Sequence, residues 1–240
     1  MIIYPAIDLR GGRCVRLIQG DFSKETVFSE NPVEVAKRWE DQGASWIHVV
    51  DLDGAKSGSP QNFEVIKLIR ENVKLKIQVG GGIRNLDTIK KYFDTGIDRL
   101  ILGSAAIEFQ DTVKQAVDFF GKEKIAVGVD VKNDMVAVKG WTATSEVTLE
   151  QVLKKLRELG IKRVIYTDIS KDGMMSGPDT EGIEKILDFG GFSVIASGGI
   201  SSVEDLEQLS RYESQGLEGA IIGKALYSGA LCLGELIQKF

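Results

Sequence analysis

The sequence is poor in the residues that many catalytic and structural devices require. It holds a single histidine, His48, and two cysteines, Cys14 and Cys232, without CxxC spacing. That inventory excludes a Cys/His zinc site, and it excludes a Ser-His-Asp or Cys-His mechanism unless His48 itself served. No apolar run is long enough to span a bilayer, and Met1-Ile2-Ile3-Tyr4-Pro5 lacks the basic segment and long apolar stretch of a signal peptide. Neither sign of charge dominates. A formal net charge of -5 argues against general affinity for nucleic acid or anionic membrane, although a locally positive pocket can still hold a small anion. The cysteines read as reduced thiols of a cytoplasmic protein. With four prolines and no Pro/Gly/Ser-rich linker or charge block, nothing divides the chain, and one domain over residues 1–240 is expected.

What is present is a regular alternation. Short β-branched runs at Ile2 to Ile7, Trp46 to Val50, Lys76 to Val79 and Arg99 to Leu102 are each followed by a polar turn and a helical pattern. Four more follow, at Ile125 to Val129, Arg163 to Thr167, Ser193 to Ala196 and Gly219 to Ile222. Nearly all apolar, they suit a parallel sheet buried on both faces. Helix starts are readable at Asn31-Pro32 ahead of Val33 to Gln42, at Ser59-Pro60 ahead of Gln61 to Glu71, and at the Thr148/Gln151 capping box ahead of Leu149 to Leu159. Gly43, Gly96 and Gly160 supply left-handed stops. Eight such alternations predict an α/β fold, a single (β/α)8 TIM barrel.

The chain also repeats itself at a shift of roughly 120 residues. Pro5-Ala6-Ile7-Asp8 is echoed by Val127-Gly128-Val129-Asp130, and Val50-Asp51-Leu52 by Thr167-Asp168-Ile169. Gly80-Gly81-Gly82-Ile83 is echoed by Ser197-Gly198-Gly199-Ile200, and Gly103-Ser104-Ala105 by Gly223-Lys224-Ala225. Two half-barrels follow, about 1–124 and 125–240, each with a similar site.

In such barrels chemistry sits at the C-terminal ends of the strands. Asp8 and Asp130 end strands one and five, opposite each other across the ring. Alternation along the strands turns Ile3, Ile7, Val127 and Val129 outward when the two aspartates point inward. Facing carboxylates suit general acid and general base roles; either alone can equally cap a loop. The glycines let backbone N–H groups approach phosphate oxygens closely. Gly81, Gly82, Gly103 and Ser104 in one half, with Gly198, Gly199, Gly223 and Lys224 in the other, predict two phosphate sites at the ends of one small substrate. Arg84 and Lys224 either add charge to each phosphate or form surface ion pairs. Arg16, in the long segment after strand one, either folds over the substrate or is a solvated loop charge. Trp141, after a hairpin-like stretch from Met135 to Lys139, either stacks on a planar base or anchors its loop. His48, with parity opposite to Asp51, reads as a packing residue facing the helix layer.

The same residues resemble the ProFAR isomerases of histidine biosynthesis, which convert the ProFAR aminoaldose to the PRFAR aminoketose. The likeness runs over essentially the whole chain. It includes Pro5-Ala6-Ile7-Asp8-Leu9, His48-Val49-Val50-Asp51-Leu52, Gly80-Gly81-Gly82-Ile83-Arg84, Lys139-Gly140-Trp141 and Lys171-Asp172-Gly173. Ser176-Gly177-Pro178, Ser197-Gly198-Gly199-Ile200 and Gly223-Lys224-Ala225-Leu226 complete it. The resemblance implies an Amadori rearrangement in which Asp130 protonates the ribose ring oxygen, Asp8 takes the proton from the neighbouring sugar carbon, and Thr167 assists. It implies Trp141 stacked on the imidazole carboxamide, Gly177 among the phosphate-binding residues and Asp51 among the substrate-binding ones. No metal, no cofactor and no obligatory protein partner are implied. Alternatives are a dual-substrate isomerase also acting on phosphoribosyl anthranilate, the sister imidazole glycerol phosphate cyclase, and a non-catalytic sugar-phosphate sensor.

Overall fold

Eight parallel strands close on themselves in the computed structural model, which describes residues 1–103, 105–132, 135–138 and 143–240, with backbone only at 105, 107, 138 and 143–146. They are β1 Ile2–Arg10, β2 Trp46–Asp51, β3 Lys76–Gly80, β4 Arg99–Leu102, β5 Ile125–Lys132, β6 Arg163–Asp168, β7 Ser193–Ser197 and β8 Leu217–Ile222. Each pairs in parallel with the next, and β8 pairs with β1, so no barrel strand has a free edge. Helices connect the strands on the outside, as a (β/α)8 TIM barrel requires.

The alternation of side chains decides what each face buries. Ile3, Ile7, Val127 and Val129 pack outward into the helix layer, as their parity predicts. Tyr4, Ala6, Ile101, Ala126, Ile165, Ile195 and Ile221 fill the interior. The base of the interior is polar. Glu218 accepts from Tyr4 Oη and Arg163 Nε, each at 2.7 Å, and pairs with Arg99 Nη2 at 3.3 Å.

Local signals behave as their chemistry demands in most places. Asn31 caps Pro32–Asp41, and Thr148 with Gln151 forms a reciprocal capping box on Leu149–Glu158. Gly43, Gly96 and Gly160 are all left-handed. Ser59-Pro60 does not start the helix as expected: the helix begins at Phe63, after Asn62 at the cap position. The Asp51 carboxylate draws the intervening segment inward, accepting from the backbone of Gln61 and Asn62 at 2.7 and 2.8 Å.

Strands β1 and β5 run past their expected ends because each continues into a hairpin. After β1 come Arg13–Ile18 and Asp21–Ser29, with Asp8 opposite Val15; after β5 come Met135–Val138 and Ala143–Thr148. Both cysteines are free. Among the described residues no helix is long and apolar enough to cross a membrane.

Candidate active site

A cavity of about 250 Å³ opens at the C-terminal ends of the strands. Its walls carry Asp8 from β1, Asp130 from β5 and Thr167 from β6, and its floor carries the small interior residues Ala6 and Gly128. Thr167 lies beside Asp130 in the parallel pairing of β5 and β6.

Arg16 reaches this wall from the first hairpin. Its Nη1 donates to Asp8 Oδ2 at 2.6 Å. Its Nε and Nη2 are buried with no hydrogen-bond partner among the described residues, so two donors of a cation remain available in the cavity. The guanidinium lies against Gly223, where an added Cβ would fall 1.5 Å from Nη2. Any side chain at position 223 would displace Arg16. Burial lifts the Asp8 carboxyl above the ordinary aspartate range, and Arg16 works against that rise.

The two glycine clusters adopt matching conformations. Gly81 and Gly82 have φ of 106° and 72°; Gly198 and Gly199 have 91° and 81°. A Cβ at Gly81 would meet the Asp51 carbonyl oxygen at 2.2 Å, and one at Gly198 would meet that of Asp168 at 3.2 Å. Each pair thus turns tightly over the end of the preceding strand, with backbone facing the cavity. Gly103, Arg84 and Lys224 also line it, and Lys224 Nζ donates to the Gly173 carbonyl at 2.9 Å. The cavity therefore has a cationic, amide-rich rim at both ends and carboxylates between them.

The pattern of the family described as "Histidine biosynthesis protein" matches residues 2–232. A protein of Halothermothrix orenii, named 1-(5-phosphoribosyl)-5-((5-phosphoribosylamino)methylideneamino) imidazole-4-carboxamide isomerase, is 50% identical over 238 residues, 99% of each chain. This chain belongs to the histidine biosynthesis family. Identically named relatives from Brevibacillus brevis and Lachnoclostridium phytofermentans are each 48% identical. The first covers 99% of this chain and 95% of its own, the second 100% and 99%.

For this member of the histidine biosynthesis family, several expected placements change. His48 faces the cavity rather than the helix layer. It sits in register with Ala6 and Gln78, both interior, while Asp51 takes the opposite parity. Asp51 is not brought to the cavity. Its buried carboxylate instead accepts from the Gly54 amide at 2.8 Å and Asn62 Nδ2 at 2.7 Å, besides the two amides above. Gly177 also lies outside the lining; its amide donates to the Gly199 carbonyl at 3.0 Å, bracing the second glycine turn. Ser104 and Trp141, with Lys139 and Gly140, lie outside the described residues.

Asp172 lines the cavity with no role assigned from the sequence. Gln19 places it: the Gln19 amide donates to the Asp172 carbonyl at 3.2 Å and Gln19 Nε2 to that of Ser170 at 2.8 Å, joining the first hairpin to the loop after β6. Burial pushes the Asp172 carboxyl up to about 6; Arg16 opposes the rise, and Asp8 and Asp130 add to it. The motif was visible, but only this loop contact brings it to the other carboxylates.

A pH dependence of stability follows. Because the folded Asp172 holds its proton more tightly than an unfolded aspartate, its contribution is complete only below about pH 4 and is lost as pH rises through about 6. Asp172→Asn should therefore gain melting temperature relative to wild type between about pH 4 and 6.5, with the difference level above that. Thermal melts across this range check it. A pH-independent difference would contradict the burial of an ionising carboxyl at this position.

Among the described residues no group of three His, Cys, Asp or Glu side chains is placed to hold a metal ion.

Proposed function

We propose that this chain is an intramolecular aldose–ketose isomerase that converts ProFAR to PRFAR in histidine biosynthesis. The observation that carries the reading is one cavity with an anion-binding rim at each end and opposed carboxylates, Asp8 and Asp130, between them. A substrate with a phosphate at each end would span the two glycine clusters and present its reacting sugar to the carboxylates. We also read residues 1–124 and 125–240 as two half-barrels, each contributing one phosphate site. The net charge of -5 and the biosynthetic role fit a cytoplasmic enzyme that needs a small-molecule substrate and no protein partner.

In this mechanism Asp130 donates a proton to the ribose ring oxygen as the bond from that oxygen to the anomeric carbon breaks. The nitrogen lone pair forms the Schiff base. Asp8 then removes the proton from the neighbouring carbon, and the electron pair gives an enolamine. Return of the proton from Asp8 to the former anomeric carbon, with loss of the hydroxyl proton to solvent and reprotonation of Asp130 from solvent, yields the ketose and restores both carboxyls. Thr167, beside Asp130, hydrogen-bonds to the reacting segment. Arg16 favours the ionised form of Asp8 in opposition to burial and offers its remaining N–H groups to anionic substrate. The raised Asp8 carboxyl in a shielded site suits acid–base work.

The test is turnover by the purified protein, with ProFAR and phosphoribosyl anthranilate assayed side by side. Conversion of ProFAR to an isobaric ketose is expected. Conversion of both would make the chain a dual-substrate isomerase. Binding of ProFAR without turnover would overturn the isomerase reading in favour of a cyclase or a sugar-phosphate sensor.

A further inference from the structure

We propose that His48 is a neutral hydrogen-bond donor on the cavity floor, presenting Nε2–H to an oxygen of the sugar segment being isomerised, and that Arg99 and Gln78 decide which ring nitrogen carries the proton. The oxygen's identity rests on the isomerase reading; the tautomer does not.

The chain of hydrogen bonds starts at the base of the barrel. Arg99 is held by Glu218 at 3.3 Å, by Tyr4 Oη at 3.4 Å and over the Trp46 ring at 4.2 Å. A guanidinium only donates, so the Gln78 atom that meets Arg99 Nη1 at 2.8 Å is the carbonyl Oε1. The Gln78 amide group is thereby oriented, with its NH2 turned to His48 Nδ1 at 3.0 Å. A ring nitrogen that faces an N–H donor must be bare. In a neutral imidazole the proton then sits on Nε2. The ring is neutral because burial, with Arg16 nearby, pulls His48 down to about 3.

No partner reaches Nε2 among the described residues, and His48 lines the cavity. Buried donors in proteins are mostly paired, so a donor left open on a cavity floor is placed to meet a ligand. His48 is level with Ala6, one inward position beneath Asp8 on the neighbouring strand. The sugar carbon that yields its proton to Asp8 carries the hydroxyl that becomes the ketone. An oxygen of this segment is within the compass of a donor placed just below. A neutral N–H stabilises that oxygen while leaving proton transfer to the aspartates. An apolar side chain would fill the same space, but it would give the Arg99–Gln78 chain nothing to orient.

Because the chain has one histidine, protein labelled with 15N-histidine gives the spectrum of one imidazole. Ligand-free wild type should show bare Nδ1 and protonated Nε2, unchanged between about pH 5 and 8. Adding ProFAR should shift Nε2. Gln78→Glu, which offers an acceptor, should move the proton to Nδ1 and lower kcat/KM by about 10- to 100-fold in folded protein. His48→Leu should lose about as much, and His48→Gln, whose amide nitrogen reaches the same place, should recover part of it. A protonated Nδ1 in ligand-free wild type, or folded His48→Leu with wild-type kcat/KM, would overturn the proposal. Wild type that binds ProFAR without turnover would count against the isomerase reading, while the ring spectrum still decides the tautomer.

Discussion

Replacing Asp8 with asparagine is expected to lower kcat for ProFAR by about 10²- to 10⁴-fold, the usual contribution of a positioned acid–base group. Asparagine keeps the size and one acceptor oxygen for Arg16 but cannot take a proton from carbon. The Arg16 cation then faces a neutral amide, and its donors stay available to an anionic substrate, so KM should not rise. That split separates chemistry from binding. Steady-state kinetics would show it, with a thermal melt to establish that the variant is folded. Asp130→Asn should behave similarly in kcat, because it removes the acid proposed to open the ring. Near-wild-type kcat in Asp8→Asn would reduce Asp8 to a positioning partner of Arg16.

The second large effect lies at the opposite end of the barrel. Glu218→Gln should destabilise the protein by about 3–5 kcal/mol, because it removes the carboxylate that two buried arginines share. For a chain of this size that corresponds to a melting temperature lower by about 6–20 °C. Arg163 retains Glu123 at 3.3 Å, so the unpaired charge falls chiefly on Arg99. Chemical denaturation of wild type and variant measures this directly. A change below about 1 kcal/mol would mean that water or rearranged side chains solvate Arg99 in the folded state.

Much of this architecture is legible in the sequence because strand parity and capping are local. The outward packing of Ile3, Ile7, Val127 and Val129 follows from alternation alone, and the Thr148/Gln151 box from two residues three apart. The placement of the opposed aspartates and paired glycines at one cavity was likewise readable, since it depends on which strand ends they occupy.

What was not legible depends on partners distant in sequence. Reading the parity of β2 from Asp51 assumed that this carboxylate faces inward, but it is consumed by backbone amides of the following loop, and His48 takes the inward position. The same contacts moved the helix start from Ser59-Pro60 to Phe63. Asp172 enters the cavity wall through Gln19, a residue in a hairpin on the far side of the chain. The polar column from Glu218 through Arg99 and Gln78 joins strands β8, β4 and β3, and only closure of the barrel assembles it.

The central claim, that hydrogen moves as a proton through carboxylates, is tested most directly by running the wild-type reaction with ProFAR in D2O and locating deuterium in the ketose. The expected product carries carbon-bound deuterium at the methylene next to nitrogen, because a proton on an aspartate exchanges with solvent before it returns to carbon. A ketose formed at full rate with no deuterium at that methylene, both of its hydrogens coming from the substrate, would contradict proton transfer through an exchanging carboxyl and point to a direct hydride shift.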